Sequence, residues 1–333
     1  MTKKSTSKTG ALTAVNAATA SVATVATEVL PQIVSSGLSV TATGYIAAAI
    51  SSATKRIYAT DTKHFAASGI TVPATPAQVL EYLAQFAGQL AIATLERRLN
   101  FLHKAHVEKM LPSPTTDLMV RQAMRGIRRT FGTRQRQVKP MVRDDVLEAL
   151  VMIDRQRPVK AARDRALMLI GFAGAFRRSE LVAIRVEHLT PVNLGIEVFL
   201  PHSKTDQERQ GRTVFIPYAN DESRCPVIAL ARWLTIAEIK EGFVFRAVTR
   251  HDRVARSGLS AQSVALVVKS SVARVGGDAT KVSGHSLRAG FCTQAAMSGL
   301  QAYQIKETTG HKSDAMLSVY IRPVNRRKSP SLL

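Results

Sequence analysis

The stretch GTRQRQVKPMV, residues 132–142, is polar, basic and aperiodic, and the hydrophobic pattern changes across it. Upstream, apolar residues recur only at helical spacing; downstream, helical spacing is interrupted by a period-two segment. A chain of this kind folds as two pieces joined by an exposed linker, and 333 residues suffice for two ordinary domains. The predicted class is mainly α with a small antiparallel β-sheet (α+β): a helical domain over 39–131, the linker over 132–142 and a mixed domain over 143–333.

In the upstream piece, SSATKRIYATDTKHFAASG spaces Ile57, Tyr58, Thr62 and Phe65 along one face and stops at a glycine. TPAQVLEYLAQFAGQ opens with Thr75 as an N-cap and Pro76 at the first helical position. AIATLERRLNFLHKAHVEKM then carries Leu95, Leu99, Leu102 and His106, and TTDLMVRQAMRGIRRTFG carries Leu118, Met119, Ala123 and Ile127. Together these predict a bundle of about four helices.

The third of these helices bears Arg97, Arg98 and Lys104, and the fourth bears Arg121, Arg125, Arg128 and Arg129. Such runs form either a solvated face or a phosphate-contacting one. Two successive cationic helices with almost no acidic i,i+4 partners favour phosphate contact. The whole chain leans the same way: 46 Lys and Arg stand against 24 Asp and Glu, a net charge of +22. That excess calls for a polyanion, nucleic acid first; no Lys/Arg block sits beside an amphipathic apolar helix as a lipid-surface binder requires.

Residues 1–38 open on a basic start and an Ala-rich middle, which imitates a targeting peptide, but Asn16 and many Thr and Ser break the apolar run. They read as a disordered tail. No stretch of about 18 consecutive apolar residues occurs, so no membrane span is expected. Cys225 and Cys292 have no metal-ligand spacing around them and read as reduced structural thiols. No carboxylate cluster suggests a metal, and no cofactor motif is present.

Downstream, RDDVLEALVMID and AARDRALMLIGFAGAFRRSELVAI are helical, while GIEVFLPHSKTDQERQGRTVFIP alternates Ile196, Val198, Leu200 and later Val214, Ile216. This predicts a β-hairpin with a long polar connection centred near Lys204. Helices resume at CPVIALARWLTIAEI and SAQSVALVVKSSVARVG. In GHSLRAGFCTQAAMSGL, Ser286 reads as the N-cap, which leaves His285 and Arg288 at a helix N-terminus suited to an anion. In GAFRRSEL, an apolar helix presents Arg177 and Arg178, and a guanidinium there needs a carboxylate or a phosphate. Glu180 is one such partner. In TTGHKSDAMLSVYIRP, Gly310 ends a helix and His311 occupies the turn. Ser313 caps a helix whose apolar side is Met316, Leu317, Tyr320 and Ile321, and which Pro323 stops. Each piece alone has a plain structural reading: a cap, an intrahelical ion pair, an exposed hairpin lysine, a packed tyrosine.

Taken in order, RRSEL, Lys204, HSLR, GH and a tyrosine nine residues after that last histidine resemble the tyrosine recombinases, or phage-type integrases, in their Cre-type branch. The resemblance covers residues 40–325. It implies that 39–131 is a helical, SAM-like core-binding DNA-binding domain and that 143–333 is the catalytic domain. The segment IRPVNRRKSPSLL would then dock on a neighbouring protomer. Tyr320 becomes the nucleophile, His285 assists it, Lys204 protonates the leaving oxygen, and Arg177, Arg288 and His311 meet the non-bridging oxygens. Glu180 orients an arginine. Arg178 competes with Arg177 for the first arginine position, and the Arg-x-Ser-Glu spacing selects Arg177.

The implied protein is a cytoplasmic, nucleoid-associated site-specific recombinase on double-stranded DNA, working without metal or cofactor as a homotetramer on two sites. Accessory DNA-bending proteins are possible partners. The rivals are a type IB topoisomerase-like relaxing enzyme and a catalytically silent DNA-binding clamp.

Overall fold

A computed structural model describes residues 39–133, 137–201 and 210–328. The chain divides into two compact units, residues 1–136 and 137–333. The residues read as a disordered tail, 1–38, and those around Lys204, 202–209, lie outside the described ones.

The first unit is helical: α1 (Val40–Ala48), α2 (Ser52–Ala67), α3 (Pro76–Phe86), α4 (Ile92–Val107) and α5 (Leu118–Phe131). That is one helix more than the periodicity predicts, because α1 buries none of its residues and so leaves no apolar stripe to read. Helix α3 starts as expected, with Thr75 and Gln78 forming a reciprocal capping box ahead of Pro76. The core gathers Phe65, Val79, Tyr82, Leu83, Leu95, Leu102, Val120 and Met124. The expected face of helix α5 holds in part: Ala123 and Ile127 pack against the core, but Leu118 and Met119 are exposed and Val120 and Met124 are buried in their place. Three consecutive apolar residues cannot specify a face; the Asp117 cap, accepting from the Met119 amide at 2.8 Å, marks where the helix starts, and packing of Val120 and Met124 in the core decides which side turns inward.

Asp61 is fully buried in this unit and takes the guanidinium groups of Arg97 and Arg98, the latter with Nε–Oδ1 at 3.4 Å. Arg98 also donates from Nη1 to the Tyr82 hydroxyl at 3.0 Å. This corrects one expectation. Arg98 is a core residue neutralising a buried carboxylate, which would otherwise cost several kcal/mol, on the order of the penalty for any unpaired interior ion, so it is withdrawn from the phosphate-contacting set.

The second unit begins before its first helix. Met141, inside the stretch read as exposed linker, is buried; its amide donates to the Ser286 carbonyl at 3.0 Å, and the Lys139 amide to Lys281 at 2.7 Å. Val138, Met141 and Val142 among polar residues give no period, so nothing in the sequence marks this docking.

Helices α6 (Arg143–Ile153), α7 (Pro158–Ala173) and α8 (Arg178–Ala183) follow, then β1 (Leu189–Val192), β2 (Gly195–Leu200) and β3 (Arg212–Pro217) in one antiparallel sheet of order β1-β2-β3. Ile196, Val198, Leu200, Val214 and Ile216 face the core as the alternation predicts; β1 extends the hairpin to three strands. Next come α9 (Pro226–Ile236), the small ribbon β4 (Arg246–Val248) and β5 (Val254–Gly258), and α10 (Ala261–Arg274). The chain closes with α11 (Ser286–Met297), α12 (Ala302–Thr309) and α13 (Asp314–Lys328).

Two boundaries differ from the sequence reading. The expected single helix through Gly174 to Glu180 breaks at Ala175, whose φ of +48° leaves the helical region. Helix α13 runs through Pro323 rather than stopping there. A proline inside a helix forfeits one N–H bond, but Leu317 and Val324, buried on either side, pack on a cluster with Cys292, Ala295, Ala296 and Ile305 that holds the helix down. No described helix is long and apolar enough to cross a membrane.

Candidate active site

The break at Ala175 sets the first side chain. It places Arg177 in extended backbone (φ −67°, ψ 152°) at the N-cap of α8, off the end of the helix rather than along its side. Glu180, one turn on, accepts from the Arg177 amide at 2.9 Å with Oε2 and from its Nη1 at 2.5 Å with Oε1. Burial alone would raise the Glu180 carboxyl; the hydrogen bonds from the Arg177 amide and guanidinium, with the charges of Arg177 and Arg212, outweigh it and hold the group below its ordinary range.

Arg288 sits in the first turn of α11 and is 1% exposed. Its Nη1 donates to the Ala175 carbonyl at 2.7 Å, so the same break that frees Arg177 anchors Arg288. No carboxylate pairs with it among the described residues, and its buried Nη2 makes no hydrogen bond there. Burial first, and the charge of Arg177 second, pull its pKa down to about 10. A guanidinium in this position lacks an anion.

His285 and not Ser286 stands at the N-cap of α11; the Ser286 hydroxyl instead accepts from the Ser283 amide at 3.0 Å, closing the turn ahead of the helix. The imidazole Nε2 lies 2.9 Å from the Tyr320 hydroxyl. Burial, then Arg288, Arg177 and Arg178, lower the His285 pKa. Tyr320 projects from α13 against the cluster that seats Leu317 and Val324. Its phenol is raised by burial and by Cys292, while Arg288 draws it the other way.

Gly310 adopts the left-handed conformation that ends α12, with φ of +66°, and turns His311 inward. The Thr309 hydroxyl donates to the Ile305 carbonyl at 2.7 Å and lies 2.8 Å from His311 Nδ1. With its one proton given to Ile305, that hydroxyl is the acceptor, so Nδ1 carries the hydrogen and Nε2 of the neutral ring is a bare lone pair. Burial, followed by Arg288, Arg177, His285 and Arg212, pushes His311 down to about 4.

Thus Arg177, Glu180, His285, Arg288, His311 and Tyr320 converge, while Lys204 lies outside the described residues. Among the described residues no group of three His, Cys, Asp or Glu is placed to hold a metal ion. Arg212 and Thr309 are additions that sequence reading missed. Arg212 had a signal: it shares the inward register of Val214 and Ile216, and an arginine on the buried face of a strand needs a partner. The remaining candidates lie in the first unit. Arg97 pairs with Asp61, Lys104 with Glu108 at 3.6 Å and Arg128 with Glu96 at 2.8 Å. Arg121, Arg125 and Arg129 are exposed at four-residue spacing on α5, with no ion pair among the described residues.

Residues 140–327 match the family model described as the phage integrase family. The chain therefore belongs to that family, the tyrosine site-specific recombinases, enzymes that transfer DNA strands. It is 39% identical over 268 residues to an integrase/recombinase xerD homolog of Selenomonas ruminantium, a match covering 79% of this chain and 78% of that one. The fold is similar to XerH recombinase bound to a palindromic difH substrate in a post-cleavage complex, with TM-score 0.56, 18% identity and coverage of 77% and 70% of the two chains. It is likewise similar to a lambda integrase dimer bound to a COC′ core site, with TM-score 0.57, 15% identity and coverage of 98% and 91%.

Proposed function

We propose that Tyr320 cleaves double-stranded DNA at a specific site by in-line attack on a backbone phosphorus, forming a 3′-phosphotyrosine and releasing a 5′-hydroxyl. Reversal by a 5′-hydroxyl from another strand rejoins the backbone. The bond energy is kept in the phosphotyrosine, so no ATP is consumed. The observation that carries this reading is the 2.9 Å contact from His285 Nε2 to the Tyr320 hydroxyl, beside the buried Arg288, which pairs with no carboxylate among the described residues.

A phenol stays protonated at neutral pH, and the site raises this one further. The neutral His285 ring, in the tautomer that carries its hydrogen on Nδ1, would accept the phenolic proton at Nε2 as the P–O bond forms. Lys204 would supply the proton to the departing oxygen, as the family resemblance implies. Arg177 and Arg288 would meet the non-bridging oxygens with paired donors; losing one such donor costs on the order of 10²- to 10³-fold in rate. His311 joins them only as imidazolium, because its Nδ1 hydrogen is committed to Thr309. The phosphate charge opposes the cations that hold the ring neutral, so DNA binding draws a proton onto it.

Arg121, Arg125 and Arg129 on α5, with Arg97, Lys104 and Arg128, would track the DNA backbone from the first unit. Assembly as a homotetramer on two sites, docking of the end of the 321–333 segment on a neighbour while Ile321 and Val324 stay packed on their own chain, and action on a mobile element in the cytoplasm at the nucleoid, with or without DNA-bending partners, complete the reading.

The test is a pool of nicked duplexes with randomised cores, in which the strand beyond the nick diffuses away and traps the adduct. Wild-type protein is expected to capture DNA covalently and Tyr320→Phe to capture none, and sequencing the captured cores gives the site. Adduct formation by Tyr320→Phe, or none by wild type, would overturn the assignment. Relaxation of a plasmid lacking the captured site would favour a topoisomerase instead.

A further inference from the structure

Arg212 opens β3, directly after the segment that carries Lys204, and its guanidinium bridges two other parts of the chain. Nη1 donates to the Thr308 carbonyl at 2.7 Å, 96 positions away, and Nη2 to Glu180 Oε2 at 3.4 Å, 32 positions away. Thr308 lies in the last turn of α12, where carbonyls have no intrahelical donor and the helix presents its negative end. Glu180 Oε2 is the oxygen that also receives the Arg177 amide. The fit around the side chain is close: a Cβ on Gly310 would sit 3.1 Å from Arg212 Nε.

We infer that Arg212 is a positioning residue for strand transfer: its two-pronged guanidinium fixes the Thr308–His311 turn against the Glu180–Arg177 pair, so that His311 and Arg177 address the same phosphate. The inference rests on the function proposed above. Arg212 touches neither the phenol nor His285, and it acts through its two neighbours. Two donors aimed at two acceptors need the planar fork; a lysine, with the same charge at one point, reaches one acceptor at a time. Burial lowers the Arg212 pKa, with the Glu180 charge opposing it, as befits a cation held for what it arranges rather than for solvent.

The test uses the full chain and a duplex captured by the wild type, prepared with the natural scissile phosphate and with a methylphosphonate in its place. The methylphosphonate is neutral and has little charge for Arg177 and His311 to meet. Arg212→Lys is expected to bind the duplex like wild type and to form adduct about 10- to 100-fold more slowly on the natural backbone, less than the loss of a direct oxyanion donor. On the methylphosphonate the gap should shrink to within about 3-fold, because the donors it positions are no longer needed there. Rates are normalised to DNA-bound protein, so partial unfolding does not mimic the effect; Arg212→Gln is run beside it with a melting curve. An equal slowdown on both backbones would assign Arg212 to the fold alone, and no slowdown would leave it idle; either overturns the inference while the proposed function stands. A wild type that captures no DNA sinks both.

Discussion

The His285 and His311 rings each lie 6.3 Å, centroid to centroid, from the Tyr320 ring, and they respond to pH in the same direction. His311 is held down to about 4 in the folded chain against an ordinary 6.5, so the unfolded chain binds more protons in between. Stability from this group is therefore complete above pH 6.5 and drains away as pH falls toward about 4. His285, also lowered, adds to the same slope. The melting temperature is expected to drop by roughly a few degrees between pH 7.5 and pH 5, given the usual sensitivity of a unit this size, and His311→Asn should flatten the drop when followed by calorimetry. Glu180 works in a lower window, stabilising above its unfolded value and failing as pH falls below it. In catalysis, His285→Ala should slow adduct formation by about 10²- to 10⁴-fold, the span for removal of a general base, with duplex affinity preserved. A single-turnover time course reads it.

Between elements, two glycines make opposite predictions from the same substitution. A Cβ on Gly290 of α11 would stand 1.7 Å from the Met141 carbonyl oxygen, and backbone cannot yield that distance. Gly290→Ala should lift residues 139–141 off the helix or push α11 away, costing about 1–3 kcal/mol or more as overpacking does. It should also lose adduct formation, since His285 and Arg288 ride on the same helix. Gly126 of α5 has nothing among the described residues within 4 Å of its Cβ position. Gly126→Ala should raise stability by about 0.8–1 kcal/mol, the difference in helix propensity. Denaturant titration checks both.

This is also the scale at which the sequence stopped being legible. The site motifs were readable because their order along the chain is fixed, and the β2–β3 alternation because period two survives in six residues. The docking of Met141, the passage of α13 through Pro323 and the burial of Arg98 were not readable, since each depends on a partner from a distant element. Asp61, for instance, is on α2, and nothing near Arg98 announces it. Arg212 lay between these cases, its inward register visible and its two acceptors not.

For the molecule as a whole, the charge excess is expected to appear as a steep salt dependence of DNA binding. Replacing Arg121, Arg125 and Arg129 together with alanine should reduce the slope of log K against log salt by up to about 3, roughly 0.9 per phosphate contact. Arg98→Leu should leave that slope unchanged and lower the melting temperature, because its guanidinium serves Asp61 and Tyr82. Fluorescence anisotropy across a salt series separates the two outcomes.

One contact also carries a prediction for the proposed assembly. Because a single polypeptide supplies both the imidazole and the phenol at 2.9 Å, the proposed chemistry predicts that every copy is armed on its own and lends its nucleophile to no other. Two crippled versions, His285→Ala and Tyr320→Phe, mixed before adding DNA, should therefore fail to rescue each other, whereas a shared site would regain activity in the hybrids.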